Sequence, residues 1–84
     1  MYFVEITGEA ADQIAALPAD ALLPLAAVID LIELAPWSGD AYNRERSEAN
    51  MRALAFGPDD RGLAIYLVLD RARRVVLLRV LWAG

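Results

Sequence analysis

Residues 62–82 read Gly-Leu-Ala-Ile-Tyr-Leu-Val-Leu-Asp-Arg-Ala-Arg-Arg-Val-Val-Leu-Leu-Arg-Val-Leu-Trp, two β-forming runs separated by a short polar turn. The first run, Leu63 to Leu69, is apolar on both faces, as a central strand covered on both sides would be. The second, Arg74 to Trp82, sets Val76, Leu78, Val80 and Trp82 against Val75, Leu77, Arg79 and Leu81. Asp70-Arg71-Ala72-Arg73 is short enough to close an antiparallel hairpin between them. Upstream, Met51 to Phe56 forms another β run, joined through Gly57-Pro58-Asp59-Asp60-Arg61-Gly62, so the last third of the chain predicts a three-stranded meander. The paired acids Asp59 and Asp60 follow Gly57-Pro58 and read as turn chemistry rather than as metal ligands.

The first half predicts one strand and two helices. Tyr2, Val4 and Ile6 alternate with Phe3, Glu5 and Thr7, the period-2 pattern of a strand with one buried face. Gly8 breaks it. Ala10, Ile14 and Leu17 then recur at helical spacing, with Glu9 in the first turn where the helix dipole favours an acid, and Pro18 ends the segment. A second helix is expected from Asp20, as its cap, to about Ala35, with Pro24 near the first turn and Pro36 as the stop. It carries Leu22, Leu25, Ile29 and Ile32 on one stripe and Leu23, Ala27, Leu31 and Leu34 on another. A helix this apolar must be covered on two sides, one by the sheet and one by the first helix. Trp37 to Asn50 has no periodicity and many turn formers, and is expected to be a long loop. The predicted class is α+β with the order β-α-α-β-β-β, an antiparallel sheet bearing two N-terminal helices on one face, in a single domain spanning 1–84.

Composition narrows the chemistry. The chain has 84 residues and neither Cys nor His, which removes disulfides, thiolate and imidazole metal sites, and every mechanism built on those side chains. No metal site and no cofactor are expected. The opening residues lack a basic segment followed by a long apolar one, and no apolar run reaches membrane-spanning length, so a cytoplasmic, membrane-free protein is expected. Net charge is −4, all eight basic residues are Arg, and none occurs in the first 43 positions. An acidic front half therefore precedes an arginine-bearing back half, and nucleic-acid binding would need a local patch.

Strict alternation puts Phe3, Glu5, Thr7, Ala64, Tyr66, Val68, Val75, Leu77, Arg79 and Leu81 on the sheet face away from the helices. A mostly aliphatic open face on a small domain marks a docking surface. Phe3, Val75, Leu77 and Leu81 are the expected partner contacts, with a homodimer packed through the same face as the plainer alternative. Arg79 would hold a phosphate or carboxylate there, or else pair with Glu5 across the sheet. In the loop, Trp37, Tyr42, Arg44 and Arg46 have the composition of a base-stacking site, but Glu45 and Glu48 dilute it and favour a solvated or partner-gripping loop.

The order strand, two helices, loop and meander, together with Asn50-Met51-Arg52-Ala53-Leu54, the Gly62–Asp70 strand and Val76-Leu77-Leu78-Arg79-Val80, resembles the RelE/ParE superfamily of bacterial toxins. The resemblance covers nearly the whole chain. It implies the toxin of a type II toxin–antitoxin module, neutralised by a cognate antitoxin wrapped around it, and either a metal-independent endoribonuclease cutting messenger RNA on the ribosome or a ParE-like inhibitor of DNA gyrase. By that resemblance Arg52, Arg79 and Tyr66 are the candidate catalytic residues, the arginines holding phosphate and Tyr66 transferring a proton. Two groups usual in RelE-like enzymes have no counterpart: Ala64 stands in place of an arginine, and the sequence given closes at Trp82-Ala83-Gly84 rather than with a basic segment and a tyrosine. A non-catalytic binding module of the same fold is the alternative.

Overall fold

The computed structural model describes residues 1–46 and 48–84. In chain order it contains β1 (Phe3–Ile6), α1 (Gly8–Ala15), α2 (Ala19–Leu34), β2 (Asp40–Ala41), β3 (Met51–Phe56), β4 (Gly62–Leu69) and β5 (Arg74–Trp82). The predicted elements are all present. The two-residue β2 is additional, within the segment expected to be a loop; Ser47, also in that segment, lies outside the described residues.

One five-stranded sheet has the order β1-β5-β4-β3-β2. The meander is antiparallel as expected, while β1 joins β5 in parallel, with Val4 beside Val75 and Ile6 beside Leu77. The sheet is therefore mixed.

Thr7 caps α1, its hydroxyl accepting from the Ala10 N–H at 3.1 Å, and Glu9 lies in the first turn as expected. Pro18 rather than Asp20 occupies the cap of α2, without a side-chain bond, and Pro24 sits inside the helix, where its ring removes one backbone donor. Ala21, Leu25, Val28 and Ile32 form the buried stripe of α2. They pack on Ala64, Tyr66, Val68, Val75, Leu77 and Val80 from the sheet.

That core corrects the face assignment. Ala64, Tyr66, Val68, Val75 and Leu77 lie under the helices, not on the open side. Two physical causes combine. In β4 both faces are apolar, so alternation carries no phase. In β5 the register slips: Ile65 faces Arg79 but Tyr66 faces Leu77, which leaves Leu78 as an extra residue in a bulge. A one-residue slip sends side chains on its two sides to opposite faces. Val75 and Leu77 consequently point into the core, while Arg79 and Leu81, of the same parity, pair with Ile65 and Leu63 on the open face.

Close packing also fixes Gly62, because a β-carbon there would meet the Phe56 ring at 2.4 Å.

Leu77 is fully buried, whereas Leu81 is 42% exposed. Leu77→Ala should cost about 2–5 kcal/mol through lost burial and a cavity, and Leu81→Ala less than about 1 kcal/mol. Urea unfolding of the two variants measures the contrast.

Candidate functional site

The open face is built from alternate residues of four strands. Leu63, Ile65, Leu67 and Leu69 come from β4, Ala53 and Ala55 from β3, Val76, Arg79 and Leu81 from β5, and Phe3 and Glu5 from β1, as the pairing register requires. The surface is aliphatic with arginines set at its β1–β5 side. Arg74 donates to Glu5 at 2.6 Å and lies over the Phe3 ring, 5.2 Å from its centroid.

Arg79 does not reach Glu5. Its Nε donates to Glu9 Oε2 on α1 at 2.7 Å, and its side chain remains 56% exposed. That contact holds the Glu9 carboxyl below its ordinary range, chiefly by the hydrogen bond from Arg79, and raises the guanidinium reciprocally. Tyr42 lies within electrostatic reach of Arg79. On the β2–β3 side, a groove of about 600 Å³ is lined by Asp40, Ala41, Tyr42, Arg44, Ala53 and Leu63.

Arg52 and Tyr66 are elsewhere. They are register partners on β3 and β4, on the helix side of the sheet, opposite Arg79. The Tyr66 hydroxyl is buried, donates to Pro36 O at 2.6 Å and accepts from the Gly39 N–H at 3.2 Å. Burial pushes its pKa up, with the Gly39 N–H opposing the shift. Arg52 donates twice to Gly39 O, at 3.2 and 2.9 Å, and once to Ala49 O at 3.2 Å, while its guanidinium covers the Trp37 ring at 5.2 Å. Together they fasten the segment after α2 to the sheet. A β-carbon at Gly39 would stand 2.3 Å from the Tyr66 oxygen, so only glycine lets the backbone approach this closely.

The sequence-predicted catalytic set is therefore divided: Arg79 faces solvent on the open side, whereas Arg52 and Tyr66 have their polar atoms engaged by the backbone beneath it. Among the expected partner contacts Phe3 and Leu81 are exposed, whereas Val75 and Leu77 are core residues. Among the described residues no group of three or more acidic, Cys or His side chains could hold a metal ion, and no helix is long and apolar enough to cross a membrane.

No protein-family model and no curated protein sequence matches the chain. Solved structures do. The isolated E. coli RelE toxin is similar over 100% of this chain and 86% of its own, with a TM-score of 0.80 at 14% identity. The intact E. coli RelBE toxin–antitoxin complex gives 0.76 at 16% identity over 100% and 99% of the two chains. The Mycobacterium tuberculosis RelBE2 toxin–antitoxin complex gives 0.72 at 26% identity over 96% of each. The chain has the RelE-like toxin fold.

Within that RelE-like frame, sequence reasoning missed Glu9 as the partner of Arg79, because it expected the acid to come from β1. The available signal was spacing: Thr7, Glu9 and Gln13 lie on α1 and its cap, directly after the strand that pairs with β5. Tyr42 and Arg44 were noticed as a loop composition, but nothing in their spacing tied them to Arg79.

Two outcomes check this assignment. Tyr66→Phe should cost about 1–3 kcal/mol by leaving the buried Gly39 N–H and Pro36 carbonyl unpaired, readable by urea unfolding. The Glu9 carboxyl is held low in the folded state, so its ion pair is intact above its unfolded value and is lost as pH falls through the folded one. Carboxyl-carbon NMR should find Glu9 titrating below an ordinary glutamate and returning to the ordinary range in Arg79→Ala.

Proposed function

We propose that this chain is the toxin of a two-component toxin–antitoxin pair, with the open sheet face around Arg79 as both its working surface and the seat of its antitoxin. The observation that carries the reading is a RelE-like fold over the whole chain that presents an exposed arginine on a mostly aliphatic sheet face. Support for an antitoxin partner comes from the E. coli and M. tuberculosis relatives, whose structures are toxin–antitoxin complexes. An antitoxin segment laid along this face would cover Phe3 and Leu81, and a carboxylate on it would compete with Glu9 for Arg79.

The finer activity in view is metal-independent cleavage of messenger RNA on the ribosome. That chemistry needs a group to activate the 2′-hydroxyl, cations on the phosphate and a donor to the leaving oxygen. Arg79 and Arg44 supply positive charge on the accessible side, and Tyr42 supplies the aromatic hydroxyl near them. A second reading has its own support. With Arg52 and Tyr66 engaged in the scaffold, the face is better furnished for gripping a protein, such as gyrase, than for cutting RNA.

Induced expression in a bacterium, with 5′-end mapping of transcripts, tests both. Growth arrest should appear on induction, should fall by at least about tenfold in Arg79→Ala, and should be relieved by co-expressing the small protein encoded beside the toxin gene. New transcript ends during arrest favour RNA cleavage, and arrest with intact transcripts favours the protein inhibitor. Absence of arrest at a verified level of folded protein would overturn the toxin reading.

A further inference from the structure

The outer side of α2 is left uncovered. Leu23 and Leu34 are 83% and 70% exposed, on the side opposite the buried Leu25, Val28 and Ile32. They are eleven positions apart in sequence, three helical turns, or about 16 Å along the axis. Exposed Ala27 lies between them, and Leu31, 40% exposed, widens the stripe. The expected cover from α1 is absent because α1 packs instead along β5, where its Gln13 Oε1 accepts from the Val80 N–H at 2.6 Å and its Glu9 holds Arg79.

The ionisable side chains that α2 itself contributes have one sign. Asp20, Asp30 and Glu33 are the ionisable residues of α2, and no Lys or Arg occurs in the first 43 positions. Neither of the ion pairs described above uses an α2 carboxylate. A leucine stripe three turns long on a helix whose own charged residues are all carboxylates is complementary to a helix that repeats the stripe and reverses the charge.

We propose that the outer face of α2 is a docking surface for a basic amphipathic helix, with apolar residues at i, i+4, i+7 and i+11 seated on Leu23, Leu31 and Leu34 and with Lys or Arg beside Asp30 and Glu33. A second copy of this chain would bring the same carboxylates against themselves, and an anionic membrane would be repelled by them. The inference stands apart from the toxin reading, since it uses the opposite layer of the molecule from Arg79.

The test is fluorescence anisotropy of a labelled synthetic peptide about 18 residues long, enough for some five turns, with leucines at that spacing and arginines flanking them, titrated with the full chain. A charge-reversed peptide with glutamates in place of the arginines serves as comparison. The basic peptide should bind and the acidic one should not. Leu23→Asn with Leu34→Asn should weaken binding by about tenfold or more, and Asp30→Asn with Glu33→Gln by roughly threefold at low salt, a difference that shrinks as salt screens the charges. Arg79→Ala should leave binding unchanged. All these side chains lie on the surface, and circular dichroism verifies that each variant is folded. Equal binding of both peptides, no effect of the leucine substitutions, or loss of binding in Arg79→Ala would overturn the proposal. So would sedimentation of the free chain as a dimer that Leu23→Asn with Leu34→Asn dissolves, or co-sedimentation with phosphatidylglycerol vesicles abolished by the same change.

Discussion

Everything in the molecule is arranged about one unmatched residue, Leu78 in β5. Strand β5 is nine residues long, whereas β1 pairs with only Arg74 to Leu77, so the edge beyond Leu77 has no strand beside it. The bulge falls at that boundary, and α1 takes over. The Thr7 hydroxyl donates to Leu78 O at 3.3 Å, Glu9 receives Arg79 at 2.7 Å, and Gln13 receives the Val80 N–H at 2.6 Å. Three successive residues of the strand thus meet three side chains from one helix and its cap. An unpaired strand edge is costly when buried and adhesive when exposed. Here α1 relieves both conditions, and for that reason it lies along the sheet rather than against α2.

The same bulge decides what the open face can do. Had β5 alternated without interruption, Arg79 would share a face with Val75 and Leu77, inside the core, where an arginine would need a complete set of partners. The extra residue turns the strand so that its odd-numbered residues enter the core before it, at Val75 and Leu77, and reach the open face after it, at Arg79 and Leu81, while Val80 takes over the core side. Packing and surface chemistry come from one strand without conflict.

This also explains what was legible in the sequence. Both α-helices and every strand longer than two residues could be read from periodicity, from Gly8, Pro18 and Pro36, and from the turn residues between the β runs. The facing of β4 and of the first half of β5 could not, although β1 alternates as read, with Tyr2 and Val4 against the core and Phe3 exposed. In β4 the alternation that would fix the phase is erased by having apolar residues on both sides, and in β5 a bulge is invisible to a rule of period two. The site suffered accordingly: Arg79 was placed on the correct face by a pattern that failed four residues earlier at Val75. Arg52 and Tyr66 enter as candidates by the family resemblance, and their roles depend on which side of the sheet they occupy. Gly39 was the missed clue. It is the point where the segment after α2 must come within reach of a tyrosine, and a bulkier residue would exclude the contact.

The distribution of charge follows from this architecture as well. The acids of the first half and the arginines of the second meet at the β1–α1 side of the sheet, in Glu5 with Arg74 and Glu9 with Arg79. Both pairs are largely exposed, so each is a weak, exchangeable contact rather than a fixed part of the fold. An arginine held loosely by an intramolecular carboxylate is open to capture by a better anion, whether a partner's carboxylate or a phosphate. Glu9 therefore orients Arg79 over the open face and offsets its charge through Nε alone, leaving the side chain more than half exposed.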